Sequence, residues 1–295
     1  MKISRKKQTY IIAFSFLVLP LLLLAVFTYY PMIRGVVLSF SDYNMFTHKT
    51  KWVGFENYKF IFNYKYFYIS LLNTLKYMII VPFIQFFAIL LALLVNQKLP
   101  GMKLFRTLFY VPVITGAVIV SLSWRWIFDV DGILNNILIN FNIIDSPIAW
   151  LTNEKTAIYC AMFVTLWRGI GYYMVIYMAG LQNIPSVLYE AAAIDGATKR
   201  QQFWKITMPL LKPTMLLAFL MSTISAVKIF EEVFLLTGGK ANTSTLLFEV
   251  YNLAFTEYKF GRSSALSIIL SGILIIFAII NFKFFGTGVE KDAKK

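Results

Sequence analysis

Six long apolar runs, separated by shorter polar segments, organise the chain. They cover roughly Tyr10–Tyr30, Ile69–Val95, Thr107–Phe128, Thr156–Gly180, Thr214–Leu236 and Ser264–Phe285, each bounded by polar, proline or glycine residues. About twenty apolar residues carry a helix across the hydrocarbon of a bilayer, because every backbone amide there must be satisfied within the segment. The pattern predicts an all-α membrane protein of six transmembrane helices. Tryptophan and tyrosine gather at several run ends, as expected for rings that sit at headgroup level. The basic start "MKISRKK" before the first run also fits a secretory signal. The run is about twenty residues long, and no small-residue cleavage site precedes Tyr29-Tyr30-Pro31, so a retained signal anchor fits better.

Lysine and arginine set the expected orientation. With the N-terminus cytoplasmic, fifteen of them fall in inner segments: Lys2, Arg5, Lys6 and Lys7; Lys98, Lys103 and Arg106; Lys199, Arg200, Lys205 and Lys212; Lys283, Lys291, Lys294 and Lys295. The outer segments are longer in total and hold nine, five of them (Arg34, Lys49, Lys51, Lys59, Lys65) in the first. This places both termini of a multi-pass chain in the cytoplasm. Parity puts the segment 181–213, between the fourth and fifth runs, on the same side.

Composition narrows the chemistry. The 295 residues are 59% hydrophobic and only 14% charged, against about a quarter charged in soluble domains. A net charge of +14 would suit nucleic acid only on a soluble fold with a basic face, so no nucleic-acid partner is expected. One cysteine, Cys160, and one histidine, His48, leave no intrachain disulfide, zinc set or histidine-based catalytic group. No residue is expected to be catalytic, and no metal site is expected. A phosphate-binding loop is missing as well. In "FLLTGGKANTS", Phe234 stands at the first glycine position and Ala241 replaces Ser/Thr. No nucleotide site, and so no cofactor, is expected in this chain.

Segment 181–213 is longer than a turn requires. "NIPSVLYEAAAIDGATK" reads as a short helix with Pro185 at its start, Ser186 capping the first turn and Asp195-Gly196 as a left-handed exit. So short a helix is marginal alone in water and needs a tertiary partner. Val187, Ala191 and Ile194 form an apolar stripe, with Glu190 beside it and Ala192 and Ala193 adjacent. Small residues admit a close partner backbone, and Glu190 offers a strong acceptor, so a docking helix is expected. In the second piece, "TKRQQFWKI", Phe203, Trp204 and the basic residues suit lipid headgroups equally well. Pro209 and Pro213 are expected to stop that piece and redirect the chain into the fifth run.

Charges within the runs need reasons, since each costs about 2.5–3.5 kcal/mol at the bilayer centre. Arg125 lies near a run end and can snorkel; Lys76 can do the same. Lys228 precedes Glu231 by three residues and Glu232 by four, the spacing of an ion pair on one helix. Arg168 falls near mid-depth beside Gly169 and Gly171, so it should face a protein interface or a wet cavity. Tyr172 lies one turn further on, and Ser222, Ser225 and Glu232 share a face through Ile229.

Glu190-Ala191-Ala192, Gly196, Ile206 and Pro209 together resemble the EAA loop of binding-protein-dependent ABC importer permeases. "LQNIPSVLYEAAAIDGATKRQQFWKITMPLLKP" is similar to the carbohydrate-uptake branch, with its maltose-type and glycerol-3-phosphate-type permeases. "WVGFENYKFIF", "NTLKY", "RTLFYVPVITGAVIVSLSWRWIF" and "KIFEEVFLLTGG" agree in order, so the resemblance spans about residues 31–285. It implies an ABC type I importer transmembrane domain: one permease domain over 1–295, in a bacterial-type cell (inner) membrane, with a cytoplasmic coupling helix between helices 4 and 5.

In that family the coupling loop, here 181–213, sits in a groove of the ATP-binding subunit. The resemblance implies further partners: a second homologous permease, two ATP-binding subunits and an extracytoplasmic solute-binding protein that delivers a sugar or oligosaccharide. It also places Gly and Tyr positions of the fourth span and a Ser of the fifth near the sugar, which makes Arg168, Gly169, Tyr172, Ser222, Ser225 and Glu232 substrate-path candidates. Packing of small residues between helices is the competing account. Segments 42–68 and 129–155 are candidates for docking the solute-binding protein. Met208 departs from the leucine usual before Pro209, and "TGGKANTS" lacks the proline that often follows the glycines. The alternative function, a self-sufficient secondary carrier or channel, calls for a midplane carboxylate or an internal repeat; Glu231 and Glu232 sit off-centre, and no halves are evident.

Overall fold

Proline and glycine decide where the long apolar helices bend. The computed structural model describes the backbone of residues 5–97 and 99–292 and the side chains of 14–97 and 99–283. Lys2, Lys98, Lys294 and Lys295, which contribute to the expected orientation, lie outside the described residues. The chain forms two compact units, Met1–Tyr64 with Val250–Ile269 and Lys65–Glu249 with Leu270–Lys295.

The first unit begins with α1 (Arg5–Leu24), a wide π-helical turn at Ala25–Tyr29 and α2 (Tyr30–Ser39). The wide turn falls where Pro31 cannot donate back to the preceding turn, so the rod continues past the proline. Phe16, Phe27 and Ile33 along it are exposed, as lipid-facing side chains would be. The expected all-α fold then gains a hairpin. Strands β1 (Ser41–Asn44) and β2 (Lys49–Trp52) pair antiparallel, with Ser41 opposite Trp52. Asn44 Oδ1 accepts from the amides of Phe46 and Thr47, which closes the turn. Helix α3 (Glu56–Asn63) locks the hairpin, because Asn57 Nδ2 donates to the Ser39 and Ser41 carbonyls at 2.9 and 3.0 Å. The Arg262 guanidinium lies over the Phe60 ring, 3.7 Å from its centroid.

The second unit is built on α4 (Lys65–Val95), α8 (Ala157–Gln182) and α11 (Met208–Val227). Lipid is as apolar as a leucine face, so helices are held here by close packing at small residues and by polar bonds. Ala88, Ala92, Ala161, Ala218 and Ala226 are buried in this core, around Tyr77, Tyr177 and Met174. Helices α5 (Met102–Ile114) and α6 (Ala117–Ile127) replace the straight third span expected over Thr107–Phe128, meeting at a 99° bend. Pro112 removes one backbone donor within α5, and Thr115 and Gly116 adopt extended ψ angles of 132° and 139°. Helix α7 (Ile133–Asn140) follows; Asn135 accepts from the Trp150 indole at 2.9 Å and so holds the next loop.

The fifth run also breaks. Helix α11 ends at Val227 and α12 (Glu231–Leu236) resumes after Lys228, Ile229 and Phe230. Thr245 Oγ1 donates to the freed Ile229 carbonyl at 2.8 Å. The loop that follows carries Gly238 and Gly239 at φ +61° and +73°, and α4 pins it down. Asn73 Nδ2 donates to the carbonyls of Asn242 (2.6 Å) and Ser244 (2.9 Å), and the Leu246 amide donates to Thr74 Oγ1. Helix α13 (Leu246–Tyr251), a π turn at Asn252–Thr256 and α14 (Phe260–Asp292) complete the chain.

Among the described residues four helices are long and apolar enough to cross a membrane: Phe14–Ser39, Lys65–Val95, Lys199–Leu236 and Phe260–Lys283. The bent α5–α6 pair makes a fifth if it counts as one span. Helix α8 is not among them; it carries Arg168 and four tyrosines. Eleven of its 26 residues are buried, so protein neighbours rather than lipid form much of its surroundings. Its tightest approach is at Gly171, where a Cβ would collide with the Phe109 backbone carbonyl of α5. Gly171→Val is expected to destabilise the protein by about 1–3 kcal/mol through overpacking. In Gly169→Ala the nearest atoms to the new Cβ belong to the Ile84 side chain, at 3.1 to 3.4 Å, which must give by only a few tenths of an ångström, so the cost should be smaller than for Gly171→Val. Thermal unfolding in detergent compares the two, and equal midpoints would contradict the close α5–α8 contact.

Candidate functional site

A cavity of about 770 Å³ opens beside the break between α11 and α12. Its wall comes from α4 (Ile80, Ile84), α5 (Val113), α8, α11, the break itself and Leu247 of α13. All six substrate-path candidates, Arg168, Gly169, Tyr172, Ser222, Ser225 and Glu232, line it. The break is what brings them together. An unbroken helix would have let Lys228 pair with Glu231 or Glu232, as the spacing suggests. Instead Glu232 is presented to α8, and Arg168 Nη1 donates to its Oε1 at 2.9 Å across 64 residues of sequence. The two side chains are 22% and 8% exposed, so the pair lies in the wall with the arginine nearer the opening. The expected pairing on one helix is therefore replaced by a pairing between helices.

The candidates do different work. Gly169 faces the cavity and also lets α8 approach Ile84 of α4. Tyr172 is half-exposed, edge-on to Tyr173 with ring centroids 5.0 Å apart. Ser225 is exposed to the cavity. Ser222 is buried, and its hydroxyl accepts from Gln85 Nε2 at 2.8 Å and donates to the Phe219 carbonyl at 3.0 Å. Gln85 is a residue that the sequence reading missed. Its Oε1 accepts from Tyr177 Oη at 2.6 Å, and its Nε2 also reaches the Ala218 carbonyl, so one amide ties α4, α8 and α11 together. A lone glutamine inside "VPFIQFFAILLALLV" was the available signal. Thr165, Tyr173, Lys228, Phe230 and Glu231 complete the polar and aromatic lining.

The second candidate set lies on the segment joining α8 to α11. Helix α9 (Ser186–Ile194) has no buried residue. Val187 is 60% and Ile194 87% exposed, so its apolar stripe has no partner among the described residues. Ser186 does not cap it as expected: Pro185 occupies the N-cap with ψ 130°, and no side chain accepts from the first turn. The exit does follow the sequence. Gly196 takes φ +76°, its amide donates to the Ala193 carbonyl, and the Ala197 amide donates to Ala192, two bonds that satisfy the helix end.

Thr198 then opens α10 (Lys199–Gln202) with a reciprocal cap: its hydroxyl accepts from the Gln201 amide and Gln201 Oε1 accepts from its own. Pro209 and Pro213 do not stop the chain. A π turn at Phe203–Thr207 shifts the hydrogen-bond register, Pro209 falls in the first turn of α11, where its missing amide is tolerated, and the helix continues. Tyr189 and Thr207 hydroxyls meet at 2.9 Å and tie α9 to that turn. A cleft of about 320 Å³ brings Ala192, Gly196 and Ile206 together, while Glu190, Ala191 and Pro209 lie outside it, exposed.

No group of three His, Cys, Asp or Glu among the described residues could hold a metal ion. The family model for "binding-protein-dependent transport system inner membrane component" matches residues 52–286. The chain is 36% identical over 277 residues to the probable ABC transporter permease protein YesP of Bacillus subtilis, covering 91% of this chain and 88% of that one. It is 33% identical over 273 residues to the multiple sugar-binding transport system permease protein MsmF of Streptococcus mutans, covering 91% and 93%. Its fold matches a chain in the crystal structure of a bacterial ABC transporter involved in the import of the acidic polysaccharide alginate. The TM-score is 0.83 at 22% identity, with 95% of this chain and 96% of that one covered.

The three-helix joint at Gln85 makes its own prediction. Gln85→Leu strands the Tyr177 hydroxyl and should destabilise the protein by about 1–3 kcal/mol. Adding Tyr177→Phe removes the stranded group, so the double variant should recover part of that loss. Thermal unfolding of all four proteins completes the cycle; strictly additive effects would mean that the two side chains do not depend on each other.

Proposed function

The chain belongs to the family of binding-protein-dependent transport system inner membrane components, and from that premise we infer that it is the membrane-spanning permease of an ATP-driven sugar importer. MsmF, named as a multiple sugar-binding transport system permease, supports a sugar cargo. In this reading the cavity beside Arg168 and Glu232 is this subunit's part of the passage. Helix α9 is the coupling helix, received by an ATP-binding subunit that supplies ATP and magnesium. A second permease completes the passage, and an extracytoplasmic solute-binding protein delivers the sugar. The bent α5–α6 pair and α8 serve as the third and fourth of six spans, with both termini and α9 cytoplasmic.

One observation carries this reading. The family's EAA segment is folded as a helix of 9 residues with no buried side chain, too short to be stable without a partner. Lacking a nucleotide-binding loop, the chain must be moved from outside, and α11 offers the route. It starts at the π turn bonded to Tyr189, and its far end lines the cavity. Helices turn as packed units, so a push on α9 is felt at Ser222 and Ser225.

Glu190→Ala and Gly196→Val are expected to leave membrane insertion intact while abolishing sugar uptake and loosening the bound ATPase. The valine adds about 1–2 kcal/mol of left-handed strain at the exit of α9. Co-purification of the ATPase and uptake of labelled sugar measure both effects, and wild-type uptake would remove α9 from the coupling role. Arg168→Leu should alter uptake while the ATPase stays bound; an unchanged uptake rate would take Arg168 out of the passage.

A further inference from the structure

Resting on the sugar-permease reading, we propose that Glu232 is a specificity-determining residue. By holding the Arg168 guanidinium, it makes the cavity accept uncharged, hydroxyl-rich sugars and reject sugars that carry a carboxylate. A free arginine in a cavity wall is a planar, two-pronged partner for a carboxylate. Here that partner is already in place, with Nη1 2.9 Å from Glu232 Oε1. The contact uses one of the guanidinium's donors, so a sugar acid that reached the others would either displace Glu232, which is 8% exposed, or set a second carboxylate beside it on a single positive charge.

The rest of the lining has the same bias. Lys228 and Glu231 bring one charge of each sign, so the lining, with Arg168 and Glu232, carries no net charge. Both of these outer charges are exposed at the helix break, where solvent weakens their hold on an ion. What remains accessible is hydroxylic and aromatic: the exposed Ser225 and Tyr172 and the half-buried Thr165, with Tyr173 buried behind Tyr172. Hydroxyls both donate and accept, as sugar hydroxyls do, and tyrosine faces receive the C–H face of a pyranose.

The test is direct binding to the whole transporter, with its partner subunits, in nanodiscs and without the solute-binding protein. Labelled maltotriose and raffinose serve as neutral probes, and trigalacturonate as the acidic one, in equilibrium dialysis. Wild type should bind at least one neutral probe, with trigalacturonate at least about tenfold weaker. Glu232→Gln frees the arginine's charge with little change of shape. It should tighten trigalacturonate about ten- to a hundredfold, and the gain should fade in high salt. Adding Arg168→Gln should abolish the gain. Equal wild-type affinity for acidic and neutral probes overturns the proposal while leaving the sugar reading standing, as does a Glu232→Gln protein with the wild-type ratio. If wild type binds none of the three, the sugar reading itself falls and the proposal falls with it.

Discussion

Inside a bilayer no water satisfies a polar group that the protein leaves unpaired. Each such group must find a protein partner, and those partnerships fix which helix faces meet. In the second unit Gln85 engages Tyr177 and Ser222, Arg168 engages Glu232, and Asn73 engages the loop after α12. Apolar contact could not select these pairings, because lipid competes for every apolar face on nearly equal terms. Alanine and glycine then let the backbones close to the distances at which the polar bonds form.

The same constraint explains where the helices break. Unpaired backbone is tolerated at membrane depth only where protein covers it or a cavity wets it. The interruption at Lys228–Phe230 meets both conditions: Thr245 takes the Ile229 carbonyl, and the three residues themselves line the cavity. The break turns Glu232 away from its own helix and toward Arg168. A defect in α11 thus creates the charged wall of the cavity, and α11 also connects that wall to the exposed α9 through the π turn at Phe203–Thr207. The exposed α9 and the cavity wall are thus joined through one helix.

Much of this was legible along the chain. Long apolar runs located the long helices, and Asp195-Gly196 marked the exit of α9; the six residues named as substrate-path candidates line one cavity. Several local expectations failed for a common reason. Ser186 as a cap, Pro209 and Pro213 as stops, the straight third span and the Lys228–Glu232 pairing each assumed an ideal α-helical register. A π turn, a pre-proline strain or a freed carbonyl shifts that register by a residue, and only the surrounding packing decides whether the shift is absorbed.

The sequence by itself determined a membrane-embedded helical chain and its family signature, since these follow from which residue types are present and how closely they are spaced. The tertiary structure alone decided which charges neutralise each other and which hydroxyls are already spent on scaffolding. Ser222 and Ser225 are three residues apart and chemically identical, yet one is bonded to Gln85 and the other is open to the cavity. That difference comes from a partner 137 residues away, and no local pattern encodes so distant a neighbour.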